Sequence, residues 1–130
     1  PTRSYWYQVD LLGHVYLHDV RIRTIATAYR DPKFLDTLFG CLAMTPRETP
    51  LPPDAAQSGI DAASFKSLFL YESRCGKECN YIRSDDSPIV FQTLTNNLAT
   101  LTYGGTLSIP FLPECIYFNE ETGRLYHPLP

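Results

Sequence analysis

The sequence lacks several features that would assign it to a common functional class. No apolar run approaches the ~20 residues that a membrane-spanning helix needs, so we expect no transmembrane segment. Positive charge is scarce, since 11 Lys and Arg against 14 Asp and Glu give a net charge of −3. This balance argues against a protein that holds nucleic acid or anionic membrane mainly by electrostatics.

Phosphate-binding signatures are missing as well. The chain has neither a G-x-G-x-x-G motif nor a P-loop Lys-Ser/Thr. Its glycine pair, Gly104-Gly105, lies between two strand-like segments and is predicted to form a hairpin turn rather than a phosphate cradle. No cofactor is therefore expected.

Cysteine and histidine are few, with four and three residues. Cys75 and Cys79 are spaced C-x₃-C, but zinc sites of this kind need a second ligand pair. His14 and His18 lie roughly 13 Å apart on an extended strand at ~3.3 Å per residue, too far to chelate one ion together. We therefore expect no metal site, with a zinc-stabilised module left as an alternative.

The four cysteines could pair as two disulfides, but their surroundings favour free thiols. Cys41 lies in an apolar helical pattern and Cys115 in an apolar strand pattern, which predicts that both are buried and reduced. This prediction favours a reducing compartment.

What is present is typical of one folded domain spanning 1–130. The chain has 44% hydrophobic and 19% charged residues, which excludes a disordered chain. It opens at Pro1 without an initiator Met, which indicates a removed targeting segment or a region inside a longer protein.

Hydrophobic periodicity divides the chain into an N-terminal hairpin, a helical part and a strand-rich part. Residues 5–18 alternate around a turn at 10–13 and predict a β-hairpin. Helical spacing over 19–29 resumes at Asp31, with Pro32 at the first helical position, and predicts one broken helical segment ending near Met44.

The rest of the chain is predicted to contain one long loop followed by strands only. The Pro-rich stretch 45–64 has no apolar period and is predicted to be a loop, linker or insertion. Predicted strands follow at 65–72, 80–83, 89–94, 98–103, 106–111, 115–118 and 124–127. Together these segments predict an α+β fold, in which an antiparallel β-meander carries the helices on one sheet face.

The stretch "CGKECNYIRSDDSPIVF", residues 75–91, concentrates polar residues before an apolar strand. The favoured interpretation is a hairpin in which a carboxylate after the second strand faces Arg83 and fixes the register. "ETGRLYHP" predicts a turn with Gly123 in the left-handed conformation, followed by a short strand. The predicted structural polar cluster consists of Glu78, Asn80, Arg83, Asp86, Arg124 and His127.

An enzyme is the alternative interpretation of the same stretch. Cys75 stands at a turn, and a histidine oriented by an aspartate could activate it as a nucleophile near a cation. No local catalytic signature surrounds the cysteine, so the structural interpretation is preferred. The residues of the enzyme alternative are Cys75, His127 or His18, Asp85 or Asp86, and Arg83.

Several motifs together resemble a known family. "YWYQVDLLGHVYLHD", "YRDPKFLDTLF", "CGKECNYIRSDDSPIVF", "GTLSIPFLP" and "GRLYHPLP" follow in the order seen in uncharacterised protein family 0598, a eukaryotic family usually treated as mitochondrial. The family pattern falls on Cys75, Gly76, Glu78, Asn80, Arg83, Asp86, Pro88, Phe91, Gly123, Arg124, Tyr126, His127 and Pro128. The resemblance implies a mitochondrial location and a domain that normally continues past the Y-H-P motif, but no reaction.

These observations favour a non-enzymatic accessory or assembly subunit of a larger mitochondrial complex, either respiratory or ribosomal. The Tyr-rich composition and the Pro-rich stretch 45–64 suit protein–protein contacts. Candidate partner-binding residues are Trp6 and the arginines of the first predicted helix, Arg21, Arg23 and Arg30. Contact of these arginines with ribosomal RNA is not favoured, because the pI is near 5.5.

Overall fold

The computed structural model describes residues 3–129, which contain ten strands and two α-helices. No helix in this part of the chain is long and apolar enough to cross a membrane. The strands are β1 (Arg3–Val9), β2 (Val15–Leu17), β3 (Leu42–Met44), β4 (Tyr71–Cys75), β5 (Glu78–Ser84), β6 (Thr93–Thr95), β7 (Thr100–Tyr103), β8 (Leu107–Pro110), β9 (Tyr117–Asn119) and β10 (Arg124–Tyr126). The helices are α1 (Pro32–Gly40) and α2 (Ala62–Leu68), and short 3₁₀ turns occupy Ala55–Ser58 and Pro113–Cys115.

The main sheet has five strands in the order β2-β1-β5-β4-β3. Its centre is a parallel pair, β1 against β5, and the other neighbours are antiparallel. The predicted N-terminal hairpin is confirmed by the pairing of β1 with β2. Because side chains alternate along a strand, this central pair can bury both of its faces.

One face of the main sheet is covered by α2 and by the segment before it. Trp6 of β1 stacks on Tyr81 of β5 at 4.8 Å between ring centroids, and Phe69 meets Trp6 edge-on at 4.9 Å. Ala55 and Ile60 complete this core and are 0% and 4% exposed. The stretch 45–64 is therefore not a linker, because it supplies core residues to the main sheet.

The other face is covered by α1. Leu38 and Phe39 of this helix pack against Val9 and Ile82 of the central strands. The predicted α+β class is confirmed, but the two helices lie on opposite faces instead of sharing one. The reason is that β1 and β5 carry apolar side chains on both faces, so each face needs its own cover.

Helix α2 occupies sequence that we expected to be a strand. The Asp61 carboxylate accepts a hydrogen bond from the Ser64 backbone N–H at 2.7 Å, which caps the helix and lowers the pKa of Asp61. The prediction of a strand over 65–72 was wrong for residues 65–70, because α2 runs to Leu68 and β4 begins only at Tyr71. An apolar run of about four to eight residues is compatible with a strand or with a helix. Here the N-cap at Asp61 favours the helix.

Residues 19–29 form turns and not the predicted helix. The Thr27 hydroxyl donates to the Ile22 carbonyl at 2.9 Å and accepts from the Thr24 N–H at 2.9 Å. Tyr29 then pairs with Val15 beside the main sheet. Ile22 and Ile25 are exposed, so the helical spacing of apolar residues here does not mark a buried face.

The predicted meander is divided into separate sheets. Strands β6, β7 and β8 form one antiparallel sheet, and β9 and β10 form a two-stranded one. Gly104-Gly105 makes the predicted turn between β7 and β8. The Asp36 carboxylate of α1 accepts hydrogen bonds from the backbone N–H groups of Gly105 and Thr106, at 2.9 and 2.7 Å, and these bonds attach the three-stranded sheet to α1.

We expect Trp6→Ala to destabilise the protein by about 3–5 kcal/mol, because it removes a side chain only 3% exposed from between Phe69 and Tyr81. Urea unfolding followed by circular dichroism measures this change. Tyr117→Ala is the control, since Tyr117 is 62% exposed and should cost less than about 0.5 kcal/mol. Equal losses for the two variants would contradict the placement of Trp6.

Candidate functional site

The polar residues of 75–91 lie at opposite ends of β5. Cys75 and Gly76 begin the turn from β4 to β5, where Gly76 has the expected positive φ of 59°. Asp86 follows the other end of the strand. The ends of the seven-residue strand β5 are separated by about 20 Å at ~3.3 Å per residue. The structure therefore does not bring Cys75 and Asp86 into one cleft.

Asp86 joins three parts of the chain in a group that we call the Asp86 clasp. Its Oδ2 accepts hydrogen bonds from Arg124 Nε at 3.0 Å and from the Tyr126 hydroxyl at 2.7 Å. Arg124 Nη2 also donates to the Leu11 carbonyl at 3.0 Å. The clasp thus fastens β10 to the end of β5 and to the turn between β1 and β2.

The carboxylate partner expected for Arg83 is instead bound elsewhere. Asp86 pairs with Arg124 of the same predicted cluster, and Asp85 accepts a hydrogen bond from Gln8. Arg83 is half-buried, and its Nε has no hydrogen-bond partner in the described part of the chain. Arg124 is 38 residues from Asp86 in the sequence. Local sequence patterns therefore favoured Arg83, which is much nearer, as the partner of the carboxylate.

The rest of the predicted polar cluster is dispersed. Glu78 is exposed beside the β4–β5 turn. Asn80 is buried and donates from Nδ2 to the Ser73 carbonyl at 3.1 Å, which supports the β4–β5 pairing. Of the six predicted residues, only Asp86 and Arg124 bond to each other, and His127 lines the same cavity.

His127 is held by both of its ring nitrogens. Nε2 accepts a hydrogen bond from the Leu112 N–H at 2.9 Å, and Nδ1 lies 2.8 Å from the Pro128 carbonyl, to which it can only donate. Its ring stacks on Phe111 and meets Phe91 edge-on. These contacts make His127 a packing and hydrogen-bonding residue, with neither nitrogen free to act as a base.

An open cavity of about 410 Å³ lies beside the clasp and is bordered by Asp86, Phe91, Arg124 and His127 among others. The charged groups on its wall already neutralise each other, because Asp86 and Arg124 form an ion pair. Its polar residues therefore hold the hairpin β9–β10 in place and leave no free charge for a ligand.

The four cysteines are free thiols, and only Cys79 is buried. The expectation that Cys41 and Cys115 are buried was wrong: Cys41 follows the last turn of α1, and Cys115 ends an exposed 3₁₀ turn. Burial raises the pKa of the Cys79 thiol. Within residues 3–129, no three metal-binding side chains of His, Cys, Asp or Glu come together.

The four predicted partner-binding residues have different environments. Trp6 lies in the core, so its prediction as a contact residue was wrong. Arg23 donates to Gln8 and lies over the ring of Tyr16, which ties it to the sheet. Arg21 and Arg30 are exposed on the turn-rich segment before α1.

Sequence patterns did not reveal the apolar surface of the hairpin β9–β10. Tyr117, Phe118 and Leu125 are 62%, 52% and 65% exposed, and Phe118 lies opposite Leu125 across the two strands. Gly123, with φ of 70°, makes the predicted left-handed turn between them. The sequence that could have indicated this surface is "IYFNEETGRLYHP", because a short hairpin formed by it carries apolar side chains on both faces.

Comparison with known proteins identifies one family. The sequence profile of a family described as a domain of unknown function (DUF4505) matches residues 1–130. No solved structure matches the chain. The profile match agrees with the resemblance to an uncharacterised family, and it brings no activity with it.

We expect Asp86→Asn to loosen the hairpin β9–β10, because it removes the charge that Arg124 binds. The loss of stability should be about 1 kcal/mol, since both side chains are partly exposed. Amide hydrogen exchange should accelerate in β9 and β10 and stay unchanged in β5. Glu120→Gln, an exposed carboxylate in the same hairpin, is the control and should leave exchange unaltered.

Thiol labelling distinguishes the structural from the nucleophilic interpretation of Cys75. We expect Cys41, Cys75 and Cys115 to react with Ellman's reagent at similar rates in the native protein, because all three are exposed. Cys79 should react only after unfolding. Cys75→Ser should remove one equivalent and leave the other rates unchanged; a single hyper-reactive thiol lost in this variant would support a nucleophile instead.

Proposed function

The chain belongs to the DUF4505 family, and from that premise we propose that it is a non-enzymatic accessory or assembly subunit of a larger mitochondrial complex. It acts through protein–protein contacts rather than through a reaction. The observation that carries the proposal is the exposed apolar surface of the hairpin β9–β10, which the Asp86 clasp holds against the body of the protein.

The hairpin has the properties of a contact element. A two-stranded hairpin is marginally stable alone, so the clasp and a partner would each add to its stability. Phe118 and Leu125 form an exposed cross-strand pair on one face of the hairpin, and Tyr117 is an exposed aromatic residue on its other face. Aromatic residues are enriched at the centres of protein interfaces, where they contribute most of the binding energy.

The mitochondrial part of the proposal is supported by the motif resemblance. The clasp residues Asp86, Arg124 and Tyr126 belong to the motifs that carry it. A respiratory and a ribosomal complex both fit a protein-binding subunit. The net charge of −3 weighs against extensive contact with ribosomal RNA.

The enzyme alternative finds no support in the geometry of the described residues. His18, one candidate base, directly follows β2, which β1 and β5 separate from β4 and Cys75. Cys75 lies at the β4–β5 turn, whereas His127 lies beside the Asp86 clasp at the other end of β5. His127 also has both nitrogens engaged. A Cys–His site would require Cys75 to meet a histidine with one free nitrogen.

The proposal is tested by the native size of the tagged protein in gently lysed mitochondria. We expect the wild type to migrate with one large complex and the double variant Phe118→Thr/Leu125→Thr to migrate as a free monomer. Threonine keeps the strand propensity while removing the apolar contact area. Stability should change little, because both side chains are more than half exposed.

The matched control is Met44→Thr, which removes an apolar side chain that is 73% exposed on a different element, β3. This variant should remain in the complex. A wild-type protein that is a free monomer, or a double variant that stays in the complex, would contradict the proposal. Absence of the tagged protein from mitochondria would contradict its location.

A further inference from the structure

A second cavity, of about 270 Å³, lies where α1, the main sheet and the three-stranded sheet meet. It is separate from the hairpin β9–β10 and from the Asp86 clasp. Its wall comes from the β1–β2 turn, the segment before α1, α1 itself, the segment after β5 and the end of β7. Its lining residues include Gly13, His14, Arg30, Val90, Gln92 and Gly104.

Apolar side chains supply just over half of the wall. Leu35 and Phe39 line it from α1, and Ile89 and Val90 line it from the segment after β5. Ile25 adds a side chain that is 57% exposed, although it belongs to an ordered turn. An apolar wall with one exposed aliphatic residue gains free energy when an apolar ligand displaces water.

Arg30 is the side chain of this cavity wall that carries a permanent charge. No carboxylate forms an ion pair with Arg30 among residues 3–129, where the ion pairs are His14–Asp10, Arg74–Glu72 and Arg124–Asp86. A guanidinium beside apolar surface is a preferred partner for a carboxylate, which it binds through two parallel hydrogen bonds.

His14 is held at the same wall by Asp10. The Asp10 Oδ2 lies 3.3 Å from His14 Nδ1, and its Oδ1 accepts from the backbone N–H groups of Leu12 and His14, at 2.9 and 2.8 Å. The Asp10 carboxylate thus holds the backbone of the β1–β2 turn that carries His14. The cavity thus combines apolar side chains with the imidazole of His14 and the guanidinium of Arg30 on its wall.

The wall depends on a glycine at position 13. Gly13 has φ of 87°, and a Cβ there would lie 2.2 Å from Gln92 Nε2 and 3.0 Å from Val90 Cβ. Gln92 Nε2 donates in turn to the Leu12 and Val90 carbonyls, at 3.1 and 3.0 Å. These close contacts fix the β1–β2 turn against the segment after β5, so the cavity is formed before any ligand arrives.

We propose that this cavity binds a small organic carboxylate, with its carboxylate at Arg30 and its apolar body among Leu35, Phe39 and Val90. The volume is just below the ~300–1,000 Å³ typical of ligand pockets, which limits the ligand to a small molecule. One guanidinium balances one negative charge, which favours a monocarboxylate over a phosphate. This binding site adds to the proposed subunit function and does not depend on it.

The test is a titration of the ¹⁵N-labelled full chain with sodium octanoate below its micelle concentration, followed by amide NMR shifts. We expect saturable shifts concentrated at Gly13, Arg30 and Gly104. Octanol, which has the same chain without the charge, should bind at least tenfold more weakly. Butyrate, which has the charge and little apolar body, should also bind at least tenfold more weakly.

Arg30→Gln should weaken octanoate binding at least tenfold and leave the fold intact, because Arg30 is exposed. Arg21→Gln is the matched control, since Arg21 is exposed on the same segment and does not line the cavity. Equal affinities of the two variants would overturn the proposal. So would equal binding of octanol, or the absence of shifts at the cavity amides.

Discussion

Parallel pairing between β1 and β5 is the contact on which the other parts of the fold depend. It joins β1 to β5, in the middle of the sequence, through seven residue pairs, from Arg3–Glu78 to Val9–Ser84. The pair occupies the centre of the main sheet, so its apolar side chains are buried on both faces. Helix α2 covers one face and α1 the other, and each helix is placed by the face that it must cover. The outer strands β2, β4 and β3 then add antiparallel partners at the two sides.

Turn residues and helix-start residues in the sequence correctly predicted the turns and element starts that depend on a few neighbouring residues. The hairpin β1–β2, the start of the helix after Asp31 and the turns at Gly76, Gly104-Gly105 and Gly123 form as expected, because turn chemistry and a proline at the first helical turn act over a few residues. The predicted end of that helix near Met44 was wrong, because α1 stops at Gly40 and Leu42–Met44 form β3. The parallel pairing of β1 with β5 was not predictable in this way. Nothing in either strand marks its partner, and the strand-rich remainder favoured a continuous meander.

Errors arose where one pattern suits two structures. The spacing of Ile22 and Ile25 is helical, yet hydrogen bonds of Thr27 close turns there and both isoleucines are exposed. The stretch 45–64 has the composition of a linker, yet it places Ala55 and Ile60 in the core. Polar and small residues do not exclude burial when a few apolar positions lie in register with an uncovered sheet face.

The candidate sites depend on the same segment, residues 85–92, which connects β5 to β6. Asp86 at its start binds Arg124 and Tyr126 and so sets the position of the hairpin β9–β10. Val90 and Gln92, further along, form the wall of the cavity that contains Arg30. Motif spacing predicted that the residues after β5 are important, but not the two separate environments that they enter. The close approach of Gly13 to Val90 and Gln92 fixes this segment on one side, and the Asp86 clasp fixes it on the other, so both environments are set by contacts distant in sequence.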